Sequence, residues 1–231
     1  MSSKKIFLTV CLLAALGAFA WGVWSDFQPA QPPEDVAALS MRGAKAYLTS
    51  GQDQWTLHMK EGTQEATEAQ AQGIQGTTAD GAKTFSAPKA NQEGSSLNLF
   101  EPTGTWAAGA STLQWQAQAG TWDQEKDLWT FSGPLTITQE GGSRLSFQSA
   151  QASFDGGKGK LSLPAFDGAL TTAQGRLNLK AGATTWTQKG DQWHFQGLTL
   201  TRGDDLLKAK EAQLQKNRLL LKGGSLQWTD D

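Results

Sequence analysis

Residues 143–164 read SRLSFQSAQASFDGGKGKLSLP, and this stretch decides the predicted fold. Apolar and polar residues alternate from Leu145 to Phe147 and again from Leu161 to Leu163. Alternation with a period of two places the apolar side chains on one face of a β-strand and the polar ones on the other. The glycines and lysines at 155–160 separate the two alternating segments and indicate a turn. The stretch therefore predicts a β-hairpin with one dry face and one wet face.

The same pattern returns along the chain. Leu113, Leu145 and Leu177 are 32 residues apart, and the apolar residues that follow each of them keep the same intervals. A single hairpin is not stable in water, so these units are expected to stack and to share one apolar interior. The positions predicted to face that interior, as a lipid-contacting surface, are Trp115, Trp122, Trp129, Phe131, Phe147, Phe154, Leu163, Leu179, Trp186, Trp193 and Phe195.

The segments on either side of these units are predicted to be less regular. Residues 46–49 and 54–57 predict a first hairpin around a turn at 50–53, within the stretch that reads LTSGQDQWTLHMKE at 48–61. Residues 61–80 contain one large apolar side chain, Ile74, and predict a weak strand or a loop, with a short amphipathic helix at 63–72 as the alternative. Terminal strands offer unpaired backbone groups to a neighbouring sheet. The candidate edge residues are Ala46, Leu48, Leu219, Leu221 and Leu226.

The N-terminal region predicts a membrane anchor. Residues 1–5 include Lys4 and Lys5, and the uncharged run at 6–24 would form a helix of about 28 Å, close to the ~30 Å thickness of a bilayer core. Positive charge ahead of the run predicts that residues 1–5 are cytoplasmic and that the remainder is exported. A cleaved signal peptide is the alternative, because Ala18-Phe19-Ala20 resembles a cleavage site. Residues 25–36 are rich in proline and predict an extended linker to a β-domain at 37–231.

Composition argues against several functional classes. The net charge of −2 and the scattered lysines and arginines do not predict nucleic-acid binding. The two histidines, His58 and His194, have no neighbours at metal-ligand spacing, so no metal or cofactor is predicted. The glycines at 155–160 lack the length and the terminal Ser or Thr of a phosphate-binding loop. No Ser-His-Asp or Cys-His set can be assembled, and an enzyme is not predicted.

These segments together resemble those of a known family. The apolar N-terminal run, the hairpin at 48–61 and the units at 143–164 and 175–201 (GRLNLKAGATTWTQKGDQWHFQGLTLT) are similar to the LptC family, with the repeats it shares with LptA and the N-terminal part of LptD. The resemblance spans residues 6–228. It implies an all-β, elongated half-open β-jellyroll of stacked hairpins, a taco-like double sheet on one transmembrane helix.

The resemblance also implies a function and partners. It implies a single-pass inner-membrane protein whose bulk lies in the bacterial periplasm and holds the acyl chains of lipopolysaccharide. The expected partners are lipopolysaccharide, the ABC-transporter subunits of the LptB, LptF and LptG type, and a soluble LptA-like bridge. Two alternatives stay open from the residues themselves: a module that binds envelope carbohydrate or polymer through exposed tryptophans, and a structural β-solenoid whose interior is fully packed.

Overall fold

The computed structural model describes residues 39–65, 68–141, 144–173, 175–215 and 218–227. Over these ranges the chain is all-β, and its sixteen strands form one large antiparallel sheet. The strands are β1 (Leu39–Ser50), β2 (Asp53–Glu65), β3 (Glu68–Thr78), β4 (Lys83–Glu93), β5 (Ser96–Phe100), β6 (Thr103–Ala108), β7 (Ser111–Asp123), β8 (Leu128–Glu140), β9 (Arg144–Asp155), β10 (Lys160–Leu163), β11 (Phe166–Thr172), β12 (Gly175–Ala181), β13 (Thr184–Thr187), β14 (Gln192–Arg202), β15 (Asp205–Gln215) and β16 (Arg218–Gln227).

Long strands alternate with strands that are split into two short halves. The long strand β4 pairs with β6 through its first half and with β5 through its second half. The same arrangement recurs at β9, which pairs with β11 and β10, and at β14, which pairs with β12 and β13. Consecutive strands otherwise pair as hairpins. The predicted turn at 155–160 is confirmed, and the turns at 123–127 and 188–191 are its equivalents in the neighbouring units.

One line of irregular positions crosses the sheet from β1 to β16. The pairing skips a residue there, and the skipped residues Gly43, Gly73, Gly133, Gly197 and Gly223 all have positive φ. The register is unchanged across Gly43, Gly73, Gly197 and Gly223, whereas it shifts by one residue at Gly133, where a β-bulge forms. Glycine tolerates positive φ because it has no Cβ, so the strands can bend at these positions. Pro88, Pro102 and Pro164 stand on the same line, where the ladder needs no amide donor. We call this row of positions the bend line.

The bend line divides the sheet into two arms whose apolar faces meet. The first arm contains the β1–β2 turn and Trp115, and the second arm contains the β7–β8 turn and Trp129. Rings from opposite arms are in contact along the fold: Trp55 lies 5.1 Å from Trp122, Trp106 lies 4.1 Å from Phe154, and Phe147 lies 5.0 Å from Trp193. The sheet therefore folds over on itself, and its core lies between its own two halves.

The segment at 61–80 is strand at 61–65 and 68–78 and ends in a turn at 79–80. It completes β2 and forms β3, so the alternative of a helix at 63–72 is wrong for its described residues. Ala71 and Ile74 are buried, whereas Gln70 and Gln72 are exposed. The inward side chains are small, so the hydrophobic alternation is weak in the sequence even though the backbone pairs on both sides.

The N-terminal predictions lie outside the described residues. These are the cytoplasmic segment at 1–5, the anchor at 6–24, the linker at 25–36 and its junction with the β-domain. Within the part of the chain that the structure describes, no helix has the length and apolar character needed to cross a bilayer.

The bend line provides a first test of this architecture. Gly197 has a φ of +64° and no atom near the position of a Cβ, so Gly197→Ala should destabilise the fold through the backbone alone, by about 1–2 kcal/mol. Gly157, in the β9–β10 turn, does not have positive φ, and a Cβ there would make an ordinary contact with Asp155 Oδ1 at 3.7 Å. Gly157→Ala is therefore the matched control and should change the free energy of unfolding little. Chemical denaturation measures both free energies of unfolding. Equal effects would mean that the positive φ at Gly197 is not required.

Candidate functional site

The eleven predicted interior positions all lie in one buried core. Their exposed fractions run from 0 to 3 %, and they point to the same side of the sheet. Within this core the rings contact each other: Trp122 stacks on Trp129 at 4.8 Å, and Trp115 lies 4.9 Å from Phe131. The centre of the fold is therefore tightly packed with aromatic side chains.

Four further aromatic residues, which are not among the eleven predicted positions, complete this core. They are Trp55, Phe85, Trp106 and Phe166, each at most 3 % exposed. The signal for them was present, because each occupies an inward position of an alternating strand. Gly76 and Gly104 lie across from Phe85 and Trp115, and a Cβ at either glycine would overlap the facing ring.

An apolar cavity of about 480 Å³ lies at the β1 end of the fold. Its wall includes Met41, Ala44, Ala46, Met59, Ile74 and Leu97, which come from β1, β2, β3 and β5. Met41, Ala44, Ala46 and Met59 are only half-buried, in contrast to the aromatic core. Small and flexible side chains leave this space open, and they carry too little hydrophobic periodicity to have been predicted as a site.

The candidate edge residues lie where the sequence placed them. Strand β1 pairs only with β2, and β16 pairs only with β15, over the described residues. Leu48 is buried and Ala46 is half-buried, whereas their neighbour Tyr47 is 69 % exposed. Leu219 is half-buried and Leu221 is exposed, and Leu226 lies on the described backbone of β16.

A set of hydrogen bonds joins the free ends of the two arms near the β1 end. The Ser50 hydroxyl donates to the Gln124 carbonyl at 2.7 Å and to Asp127 Oδ1 at 3.2 Å. Lys83 Nζ forms an ion pair with Asp53 at 2.5 Å and lies 3.5 Å from the carbonyl of Gly156. We call the contacts of Ser50 with Gln124 and Asp127 the first clasp.

A second set of hydrogen bonds joins the arms farther along the fold. Gln139 Nε2 donates to Asp191 Oδ1 at 2.6 Å, and the Trp193 indole N–H donates to Gln139 Oε1 at 2.6 Å. Gln188 Nε2 donates to the carbonyl of Ala107 at 2.7 Å. We call these contacts the second clasp. The two clasps close the mouth of the folded sheet over the aromatic core.

Asp127 is a buried acid of the first clasp, and its pKa is raised. It is 1 % exposed, and this burial raises the pKa of its carboxyl. Lys83 and the Ser50 hydroxyl act against the increase, whereas the neighbouring Asp53 adds to it. The carboxylate therefore opposes closure of the first clasp when it is ionised.

The turn residues at 155–160 behave as a turn, as predicted. Lys158 Nζ lies 2.6 Å from Asp155 within the same turn, and this contact lowers the pKa of Asp155. Lys126 lowers the pKa of Asp123 in the same way in the preceding turn. These exposed ion pairs stabilise local turn geometry only slightly.

The described residues bear on two of the alternative classes, metal-binding proteins and sugar-binding modules. His58 and His194 are exposed, and no group of three His, Cys, Asp or Glu side chains comes together in the described ranges. Every tryptophan in those ranges is at most 3 % exposed, so none forms a platform for a sugar. The outer face of the first arm carries an uncharged cleft of about 540 Å³, lined by short hydroxyl side chains such as Thr84 and Thr105 and by Gln114.

Comparison of the sequence with protein-family models and with curated proteins returns no match.

The aromatic core is expected to carry much of the stability. Trp129 is 1 % exposed and contacts Trp55, Phe85, Trp115, Trp122 and Phe131. Trp129→Ala should therefore lower the free energy of unfolding by about 3–5 kcal/mol, measured by urea denaturation. Thr130→Ala, at the exposed next position, should change it by less than about 0.5 kcal/mol. A loss below about 1 kcal/mol for Trp129→Ala would contradict a filled core at this position.

Asp127→Asn should stabilise the protein at neutral pH. Because the pKa of Asp127 is higher in the folded state, its favourable contribution is complete below the unfolded pKa of about 4 and is lost as the pH rises through the folded value. Asparagine can still accept the Ser50 hydrogen bond and cannot ionise. Thermal denaturation from pH 3.5 to pH 8 should show the two proteins converging at low pH and the variant more stable at high pH. A constant offset across this range would contradict the assignment.

Proposed function

We propose that this protein is a periplasmic lipid-binding relay of the lipopolysaccharide-export type. In this proposal the folded sheet is the half-open β-jellyroll of that family, held at the bacterial inner membrane by a helix at 6–24. The observation that carries the proposal is the apolar cavity at the β1 end, beside an edge strand. A carrier of this kind needs a dry space and an entrance, and it needs no catalytic group.

The size and lining of the cavity suit an acyl chain. Small-molecule sites commonly enclose about 300–1,000 Å³, and a cavity of about 480 Å³ falls in this range. Each buried CH₂ group contributes roughly 0.8 kcal/mol, so a single acyl chain would be held without any polar contact. Met41 and Met59 can adapt their shape to such a chain because methionine is unbranched and flexible.

The aromatic positions have a different part in this proposal. The predicted lipid-contacting set, from Trp115 to Phe195, is packed ring against ring, so an acyl chain could reach it only where the two arms separate. The cavity is therefore the first contact for lipid, and the aromatic core is a surface that becomes available afterwards. A purely structural solenoid would account for the packed centre but leaves the open cavity without a role.

The two edge strands are the proposed docking sites for protein partners. Strand β1 offers backbone groups at one end of the sheet, and β16 offers them at the other, where Leu220 is 62 % exposed. A neighbouring sheet that pairs with either edge would continue the apolar interior from one protein into the next. The ABC-transporter subunits and an LptA-like bridge are the proposed partners at these two edges.

Photo-crosslinking at adjacent positions tests the cavity. Met59 lines it, whereas His58 on the same strand points outward and is exposed. Benzoylphenylalanine is placed at 59 or at 58 in the full chain, and each protein is irradiated with purified lipopolysaccharide and, separately, with phospholipid vesicles. Lipopolysaccharide adducts are expected at 59 and not at 58.

The other outcomes separate the parts of the proposal. Equal labelling at both positions, or no labelling at 59, would contradict lipid binding in the cavity. Adducts at 59 with phospholipid alone would keep the lipid-binding module and reject lipopolysaccharide as its cargo.

A further inference from the structure

The turns that close the mouth of the fold contain a duplicated motif. Residues 121–131 read TWDQEKDLWTF and residues 185–195 read TWTQKGDQWHF. The two stretches are 64 residues apart and are identical at six positions: Trp122 and Trp186, Gln124 and Gln188, Asp127 and Asp191, Trp129 and Trp193, with the first Thr and the last Phe. Both form turns of the second arm, and both Asp residues have positive φ. The first clasp and the second clasp are therefore two copies of one structural device.

The polar side chains of the second copy have partners. The Trp186 indole N–H donates to Asp191 Oδ1 at 2.9 Å, and Gln139 Nε2 donates to the same oxygen at 2.6 Å. Gln188 reaches across to the carbonyl of Ala107. This clasp ties the arms together through side chains that satisfy each other.

The first copy is less completely bonded. Asp127 Oδ1 accepts from Ser50, but Trp122 Nε1, Gln124 Nε2 and Asp127 Oδ2 are buried without a hydrogen bond of good geometry. The Trp122 indole lies near the Asp127 carboxylate and lowers its pKa, whereas the Trp186 indole N–H donates to Asp191 at 2.9 Å. Among the described residues of the first arm, Ser50 is the side chain that bonds to Asp127, where the second copy has the longer Gln139. Buried polar groups without partners destabilise the state that buries them, and they regain hydrogen bonds once water reaches them.

The first clasp lies at the end of a strand that also lines the cavity. Ser50 ends β1, and five residues of that strand between Met41 and Tyr47 line the cavity. Below the clasp, Trp55, Phe85, Trp122 and Trp129 form one aromatic cluster with centroid distances of 4.8–5.9 Å. Opening at this point would connect the cavity with the aromatic cluster.

We propose that the first clasp is a gate: the two arms separate between Ser50 and the turn of Gln124 and Asp127, while the second clasp stays closed. Opening hydrates the three unpartnered polar atoms and exposes the aromatic cluster to an acyl chain already held in the cavity. The identity of the cargo rests on the proposed function, whereas the opening itself is a property of the unliganded fold.

Hydrogen exchange of the full chain without lipid tests the gate. We expect the amides of 123–128, at the first clasp, to exchange at least tenfold faster than those of 187–192, at the second. Ser50→Ala should speed exchange at 123–128 several-fold and leave 187–192 unchanged, and Asp127→Asn should slow it. Gln188→Ala is the matched control in the second copy and should act only on 187–192. Equal rates at the two turns of the wild type, or equal acceleration of both by Ser50→Ala, would overturn the gate.

A crosslinking experiment distinguishes failure of the gate from failure of the proposed function. Benzoylphenylalanine replaces Phe85 in the aromatic cluster or Met59 in the cavity, and lipopolysaccharide is the probe. Ser50→Ala should raise adduct yield at 85 at least threefold without changing the yield at 59. Adducts at 59 with none at 85 in either background would overturn the gate and leave the cavity as the lipid site. Absence of adducts at 59 would contradict the proposed function, and the exchange rates would then decide the gate by themselves.

Discussion

The whole structure depends on the bend line. A flat antiparallel sheet with an apolar face of this size would expose that face to water, and its strands have no helix to pack against in the described residues. Glycines with positive φ interrupt the strands at the same level, and the sheet bends there and becomes its own covering layer. Burial of Trp115, Phe147 and Trp193 follows from this fold-over, because each ring meets a ring or chain from the opposite arm.

Packing is uneven along the interior, and the choice of side chains explains why. From β6 to β14 the inward positions carry tryptophan, phenylalanine and leucine, which fill the space between the arms. Near β1 the lining positions carry small or flexible side chains such as Ala44, Ala46, Ala71 and Met59, and a cavity lies between them. A filled core and an open cavity are thus produced by one backbone arrangement, because side-chain volume decides which of the two forms.

The hydrogen bonds that close the mouth of the fold also differ from one place to the other. Two copies of a turn motif close the mouth, and their carboxylates are bonded differently. Asp191 accepts from Trp186 and Gln139, whereas Asp127 accepts from Ser50 and its Oδ2 has no hydrogen-bond partner. In Gln139 the amide both accepts from Trp193 and donates to Asp191, whereas the Ser50 hydroxyl has one proton to share between two acceptors. Similar turns can therefore differ in how firmly they hold the arms together.

The sequence by itself determined the strands, their inward faces and most turns, because a period of two and glycine-containing turns are local properties. The positions from Trp115 to Phe195 were assigned to the correct face by alternation alone, and β1 and β16 were recognised as terminal strands. Residues 61–80 were ambiguous because their inward side chains are small. Only the tertiary structure decided that the sheet folds over along the bend line, that the aromatic rings fill each other's space, and that the open cavity lies at the β1 end. These depend on contacts between residues such as Ser50 and Asp127, which are 77 positions apart, and local alternation carries no information about which distant faces meet.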